Sequence, residues 1–162
     1  MKKIYIGCLV LMMALFSACV EQSYTKQESV FVVFKTNTFK YADLGFIYEG
    51  KTSIKLEMYS NAQALNTLMI NKDNICLSLL ECMDKEHFNQ EVLSTYYPKD
   101  ILRHILLGKA IFAGQNRSNI RNGFTQRLSK ANQYAINYKV LNNQIIFHDT
   151  INHISINIKR LK

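Results

Sequence analysis

Residue types that carry chemistry are sparse in this chain of 162 residues, which has four Cys, four His and no Trp. His87, His104, His148 and His153 show no spacing typical of a metal site, and none pairs with a Cys in a nucleophilic pattern. No GxSxG, HExxH or phosphate-loop motif is present, so an enzyme is not expected, nor a cofactor or a metal. Cys8 lies in the apolar start of the chain, and Cys19 directly follows the small pair Ser17-Ala18. Cys76 and Cys82 remain. On one straight strand they would stand roughly 20 Å apart, far beyond disulfide reach. A bridge would need a chain reversal between them, and Leu77-Ser78-Leu79-Leu80-Glu81 offers neither Gly nor Pro. Two buried free thiols are therefore favoured over a disulfide.

The N-terminus has the physical make-up of an export signal. Met1-Lys2-Lys3 is positive, Ile4 to Phe16 is uncharged and apolar, and small residues follow. The apolar run is shorter than the roughly 20 residues a permanent membrane-spanning helix needs. Leu15-Phe16-Ser17-Ala18-Cys19 resembles a bacterial lipobox, in which cleavage before the Cys is coupled to acylation of its sulfur and amine. That resemblance makes residues 1–18 a signal peptide, Cys19 a lipid-attachment site, residues 19–27 a lipidated tether and residues 28–162 the folded domain. Several acyl chains, at about 0.8 kcal/mol per buried CH₂, make a stable membrane anchor. Val20-Glu21 after the Cys, with no Asp, favours delivery to the periplasmic face of the outer membrane.

The elements that would position any site read as strands, then two helices, then strands. Val/Phe-rich Ser29–Thr36, Gly45–Tyr48 and alternating Thr52–Tyr59 come first. Leu65–Ile70 and Ile75–Leu80 follow. The period then changes. Asp84 can cap a helix carrying Phe88, Val92, Leu93 and Tyr96, and Pro98 breaks it. A second helix places Ile101, Leu102, Ile105 and Leu106 on one stripe and stops at Gly108. Gln115–Gly123 reads as a surface loop. Gly123–Leu128, Gln133–Leu141, Gln144–His148 and His153–Lys159 return to strands, with Asn142-Asn143 suiting a tight hairpin turn. This order predicts an α+β domain: a strongly curved antiparallel sheet with two adjacent helices inserted between strand runs as a lid.

Three stretches carry a family resemblance. They are Ile54-Lys55-Leu56-Glu57-Met58 leading into Leu68-Met69-Ile70, then Pro98 to Gly108, then the closing strands from Tyr134 to Lys159. With the lipobox, they resemble the LolB-like outer-membrane lipoproteins. The resemblance implies a half-barrel with a helical lid, whose apolar cavity takes the acyl chains of lipoprotein cargo handed over by a LolA-like carrier. It implies cavity walls at Ile54, Leu56, Met58, Leu68, Ile70, Phe147, Ile154, Ile156 and Ile158, with Ile101, Leu102 and Ile105 beneath the lid. It also implies a membrane-insertion loop at Ser60–Gln63, with Ala62 as its apolar residue. The other reading of the same residues is a solid core in a lipid-tethered accessory subunit of an envelope assembly.

Composition bounds the rest. The chain is 48% hydrophobic with a formal net charge of +8, enough apolar content for one packed domain. Loss of Lys2 and Lys3 with the signal leaves the mature chain at about +6. Export excludes nucleic acid as the partner and points the charge at anionic lipid or an acidic protein. From Ile101 to His148 there is no Asp or Glu, and Arg103, Arg117, Arg121 and Arg127 are the candidate basic surface.

Overall fold

A computed structural model describes residues 24–60, 63–78 and 81–161. Its strands are β1 (Tyr24–Lys35), β2 (Lys40–Gly50), β3 (Ile54–Ser60), β4 (Gln63–Ile70), β5 (Asn74–Leu77) and β6 (Glu81–Asp84). Helices α1 (Lys85–Val92) and α2 (Ile101–Leu107) follow, then β7 (Arg117–Ile120), β8 (Gly123–Lys130), β9 (Tyr134–Leu141), β10 (Gln144–Asp149) and β11 (Ile154–Arg160). The strands form one antiparallel sheet in the order β6-β5-β4-β3-β2-β1-β11-β10-β9-β8-β7. Pairing of the first strand with the last, Val32 opposite Ile158 and Phe34 opposite Ile156, joins the two hairpin runs. The sheet is open, with β6 and β7 at its edges.

Period-2 patterning sets the faces. Val30, Val32 and Phe34 of β1, Ile54, Leu56 and Met58 of β3, and Ile154, Ile156 and Ile158 of β11 all point to one side and are buried. Eleven strands laid flat would span about 48 Å, and two short helices would cover less than half of that. The inner face is nevertheless buried from β1 to β5 and from β8 to β11, so the sheet must curl around its helices.

Both helices form where local signals ask for them. The Asp84 carboxylate caps α1 by accepting from the His87 N–H at 2.8 Å. Gly108 stops α2 at φ 64°, ψ 32°, where its N–H satisfies the His104 and Ile105 carbonyls. Helix α1 ends at Val92, shorter than the apolar spacing suggests. Tyr96 lies outside it and is 48% exposed, while Tyr97 takes the buried place.

Four further expectations are corrected. Ile75–Leu80 is not one strand but the hairpin β5–β6, with Ser78 at a positive φ of 68° beginning the reversal that neither Gly nor Pro supplies. The register sets Cys76 directly opposite Cys82, and a disulfide joins them across a Cα separation of 3.9 Å. The pair of buried free thiols is thus replaced by a bridge between buried Cys76 and exposed Cys82. Gln115–Gly123 is not a loop throughout, because Arg117–Ile120 pairs with β8 as an edge strand. The turn after it needs Gly123: at φ 153°, an added Cβ would sit 1.9 Å from the Val140 carbonyl oxygen. Residues 24–27, expected in the tether, are the first residues of β1.

The bridge yields a stability prediction. It closes a loop of sequence separation 6 at the sheet edge that runs straight into α1. Cys82→Ser is expected to cost about 2 kcal/mol, read as a lower urea midpoint. Reductant should bring the parent protein to the same midpoint. Coincident midpoints without reductant would show that the bridge contributes nothing.

Candidate functional site

The inner face and the segment that roofs it make the principal candidate site. All twelve residues expected to line a cavity are in the core: Ile54, Leu56, Met58, Leu68, Ile70, Ile101, Leu102, Ile105, Phe147, Ile154, Ile156 and Ile158 are each at most 2% exposed. The sheet brings strand residues from both hairpin runs under α2, so one continuous apolar surface forms from positions more than 100 apart in sequence. Phe88 of α1, the buried residues of α2 and the partly buried Phe112 pack into the same apolar cluster as the strands. Cys19 and Ala62 lie outside the described residues.

Polar contacts latch this roof at several points. Tyr97, between the helices, donates its hydroxyl to Asp149 Oδ2 of β10 at 2.5 Å. Its ring meets Phe147 edge-on at a centroid distance of 6.0 Å. Past α2, Gln126 of β8 accepts from the Ile111 N–H at 2.9 Å and donates to the Ile111 and Gln115 carbonyls at 3.0 and 2.7 Å. Tyr138 of β9 donates to the Lys109 carbonyl at 3.0 Å. Arg103 reaches the Thr52 carbonyl at 3.2 Å. Inside the roof, Asn89 Nδ2 holds the Tyr97 and Pro98 carbonyls, while its Oδ1 is buried without a partner among the described residues.

Asp149 is the hub. It is fully buried and also accepts from the N–H groups of Ala135, Ile151 and Asn152 and from Asn152 Nδ2. Burial by itself would raise its pKa. The hydrogen bonds from Ala135, Tyr97 and Asn152 outweigh burial and hold the carboxyl below its ordinary range. Burial and the Asp149 contact together push the Tyr97 hydroxyl upward. Neither Tyr97, Asp149 nor Gln126 stands out by motif. One signal did exist: Asp149 is the only acidic residue from Ile101 to the end of the chain.

The outer face of the sheet carries a second cluster. Lys55 lies over the Tyr48 ring, 4.1 Å from its centroid, and donates to Glu57 at 2.7 Å. Tyr48 and Tyr59 also donate to Glu57, at 2.9 and 3.1 Å. Burial and the Glu57 carboxylate push the Tyr48 hydroxyl up to about 12. Leu44, Phe46, Tyr59 and Leu161 line a shallow groove of about 700 Å³ beside this cluster.

The expected basic surface divides. Arg117 stacks on Phe124 at 4.4 Å in the β7–β8 hairpin, Arg121 sits in its turn, and Arg127 lies on the outer face of β8 near Lys139 and His148. Arg103 belongs instead to the roof, beside the β2–β3 turn. No cluster of His, Cys, Asp and Glu among the described residues could hold a metal ion, and no described helix is long and apolar enough to cross a membrane. No protein-family model matches the chain, and no curated protein matches its sequence.

Proposed function

We propose that this is a lipid-anchored cell-envelope protein of the LolB kind, which takes acyl chains between its roof and the inner face of its sheet. In this reading Cys19 carries the anchor, the sheet is a half-barrel on the periplasmic face of the outer membrane, and a LolA-like carrier delivers lipoprotein cargo. The observation that carries it is a one-sided apolar sheet, open at both edges, roofed by two short helices held through a few polar latches. Such an apolar surface binds by area, at about 25 cal/mol per Å² removed from water. Because the walls are closed to solvent, uptake requires the roof to move and the acyl chains to replace it.

The test is binding of a fluorescent triacylated lipopeptide to the purified protein. Saturable binding, competed by the unlabelled lipopeptide and not by its deacylated form, is the expected result. Absence of saturable binding would sink the carrier reading. A second reading then takes over, favoured by the solvent-excluded inner face and the outer groove at Leu44 and Phe46: a lipid-tethered subunit that works through its surface. Mass spectrometry of the mature N-terminus tests the anchor common to both.

A further inference from the structure

A pocket of about 410 Å³ opens where the β2–β3 turn, the β4–β5 turn and the roof meet. Lys51 comes from the first turn, Lys72 from the second, Lys85 from the start of α1, and Asp100, Arg103 and His104 from the start of α2. Four fixed cations and one histidine thus surround a single carboxylate. That carboxylate is already taken, since the nearly buried Lys85 ammonium lies 2.6 Å from Asp100 Oδ1. Arg103 spends one donor on the Thr52 carbonyl, leaving the rest of its guanidinium fork for another acceptor. Lys51 and Lys72 are exposed and form no ion pair among the described residues. Converging Lys and Arg groups in a concave site suit a compact oxyanion such as a phosphate group.

Strand pairing says where this pocket sits relative to the membrane. Tyr24, the first residue of β1, is opposite Gly50, one residue before Lys51. Four residues lie between Cys19 and Tyr24, and the five steps from one to the other reach at most about 17 Å. An anchor at Cys19 therefore holds this end of the sheet within reach of the headgroup layer. Tyr24, Tyr48 and Lys55 cluster at the same end, with the two rings 5.5 Å apart and Lys55 against both. Tyr and Lys are residue types that favour the membrane–water interface.

We propose that this pocket binds the phosphate of an anionic phospholipid headgroup in the membrane that carries the anchor. The choice of a lipid source rests on the anchor reading, whereas the phosphate chemistry rests on the pocket.

The experiment titrates the purified protein calorimetrically with inorganic phosphate and with dihexanoyl phosphatidylglycerol kept below its micelle concentration. The double variant Lys51→Glu/Lys72→Glu is compared with Arg127→Glu/Lys139→Glu, which makes the same change in charge on the outer face far from the pocket. Circular dichroism verifies that both fold. The lipid should bind more tightly than inorganic phosphate, and the pocket variant should weaken it by about tenfold or more while the control does not. Phosphate bound as tightly as the lipid would overturn the headgroup assignment. Equal weakening by the two variants would reduce the effect to net charge, and no binding of either ligand would remove the site. The mature N-terminus is weighed on the same preparation, so a lipidated Cys19 without headgroup binding overturns the pocket and leaves the anchor standing.

Discussion

Asp149→Ala is expected to lower folding stability by about 3–5 kcal/mol, more than any other single polar substitution in the domain. The residue is fully buried and gathers donors from three parts of the chain: the Tyr97 hydroxyl from the roof, the Ala135 N–H from β9, and the Ile151 and Asn152 groups from the β10–β11 turn. Alanine leaves all of them without that acceptor. The same residue gives the stability an acid limb. Its folded pKa is depressed below the ordinary 3.8, so the unfolded chain binds the proton more readily than the folded one. The contribution is present above 3.8 and is lost as pH falls through the folded value. Glu28, Glu57 and Asp100 are depressed as well and contribute with the same sign. The gap in urea midpoint between the parent and Asp149→Ala or Asp149→Asn should therefore narrow as the solution is acidified below that value. A loss under 1 kcal/mol at neutral pH would mean that Asp149 is not the hub its contacts describe.

The second large effect is kinetic and concerns the roof. Tyr97→Phe removes one hydroxyl and leaves Asp149 with its Ala135, Ile151 and Asn152 partners. The ring keeps its contacts with Phe147 and Phe112, so packing under the roof is retained. A hydrogen bond to a charged acceptor contributes about 1.5–3 kcal/mol, and each 1.4 kcal/mol changes an equilibrium tenfold. If acyl chains enter only when the roof lifts, the open population and the uptake rate should rise about tenfold or more in this variant. Stopped-flow mixing with the fluorescent lipopeptide reads the rate directly. At high ligand the parent rate should level off at the roof-opening rate, since opening precedes binding. A parent rate that stays proportional to ligand concentration, unchanged by Tyr97→Phe, would mean that the roof does not gate the site.

Much of the domain is written in short-range pattern. The alternation Ile54-Leu56-Met58 against Lys55-Glu57, and Ile154-Ile156-Ile158 against Ser155-Asn157, gives each strand its inner face before any pairing is known. Asp84 and Gly108 mark helix ends through bonds they make within four residues, and Asn142-Asn143 forms the two-residue turn between paired Leu141 and Gln144. All twelve apolar candidates were legible as inward-facing because burial follows that period. Whether they enclose space was not, since this depends on how far the sheet curls and what the roof fills.

What the sequence determined by itself is the set of faces, caps and most turns, together with a run of charged and then apolar residues that precedes Cys19. Those features depend on residues a few positions apart, and their physics is local. The tertiary structure decided the rest. It set Cys76 opposite Cys82 by folding an apparent strand back on itself, made an edge strand of Arg117–Ile120, and carried Asp149 to Tyr97 from 52 positions away. It also split the basic residues between the outer face of β8 and a pocket beside the β2–β3 and β4–β5 turns. These outcomes come from pairing and closure between distant segments, where the free energy depends on which partners meet and no spacing along the chain records it.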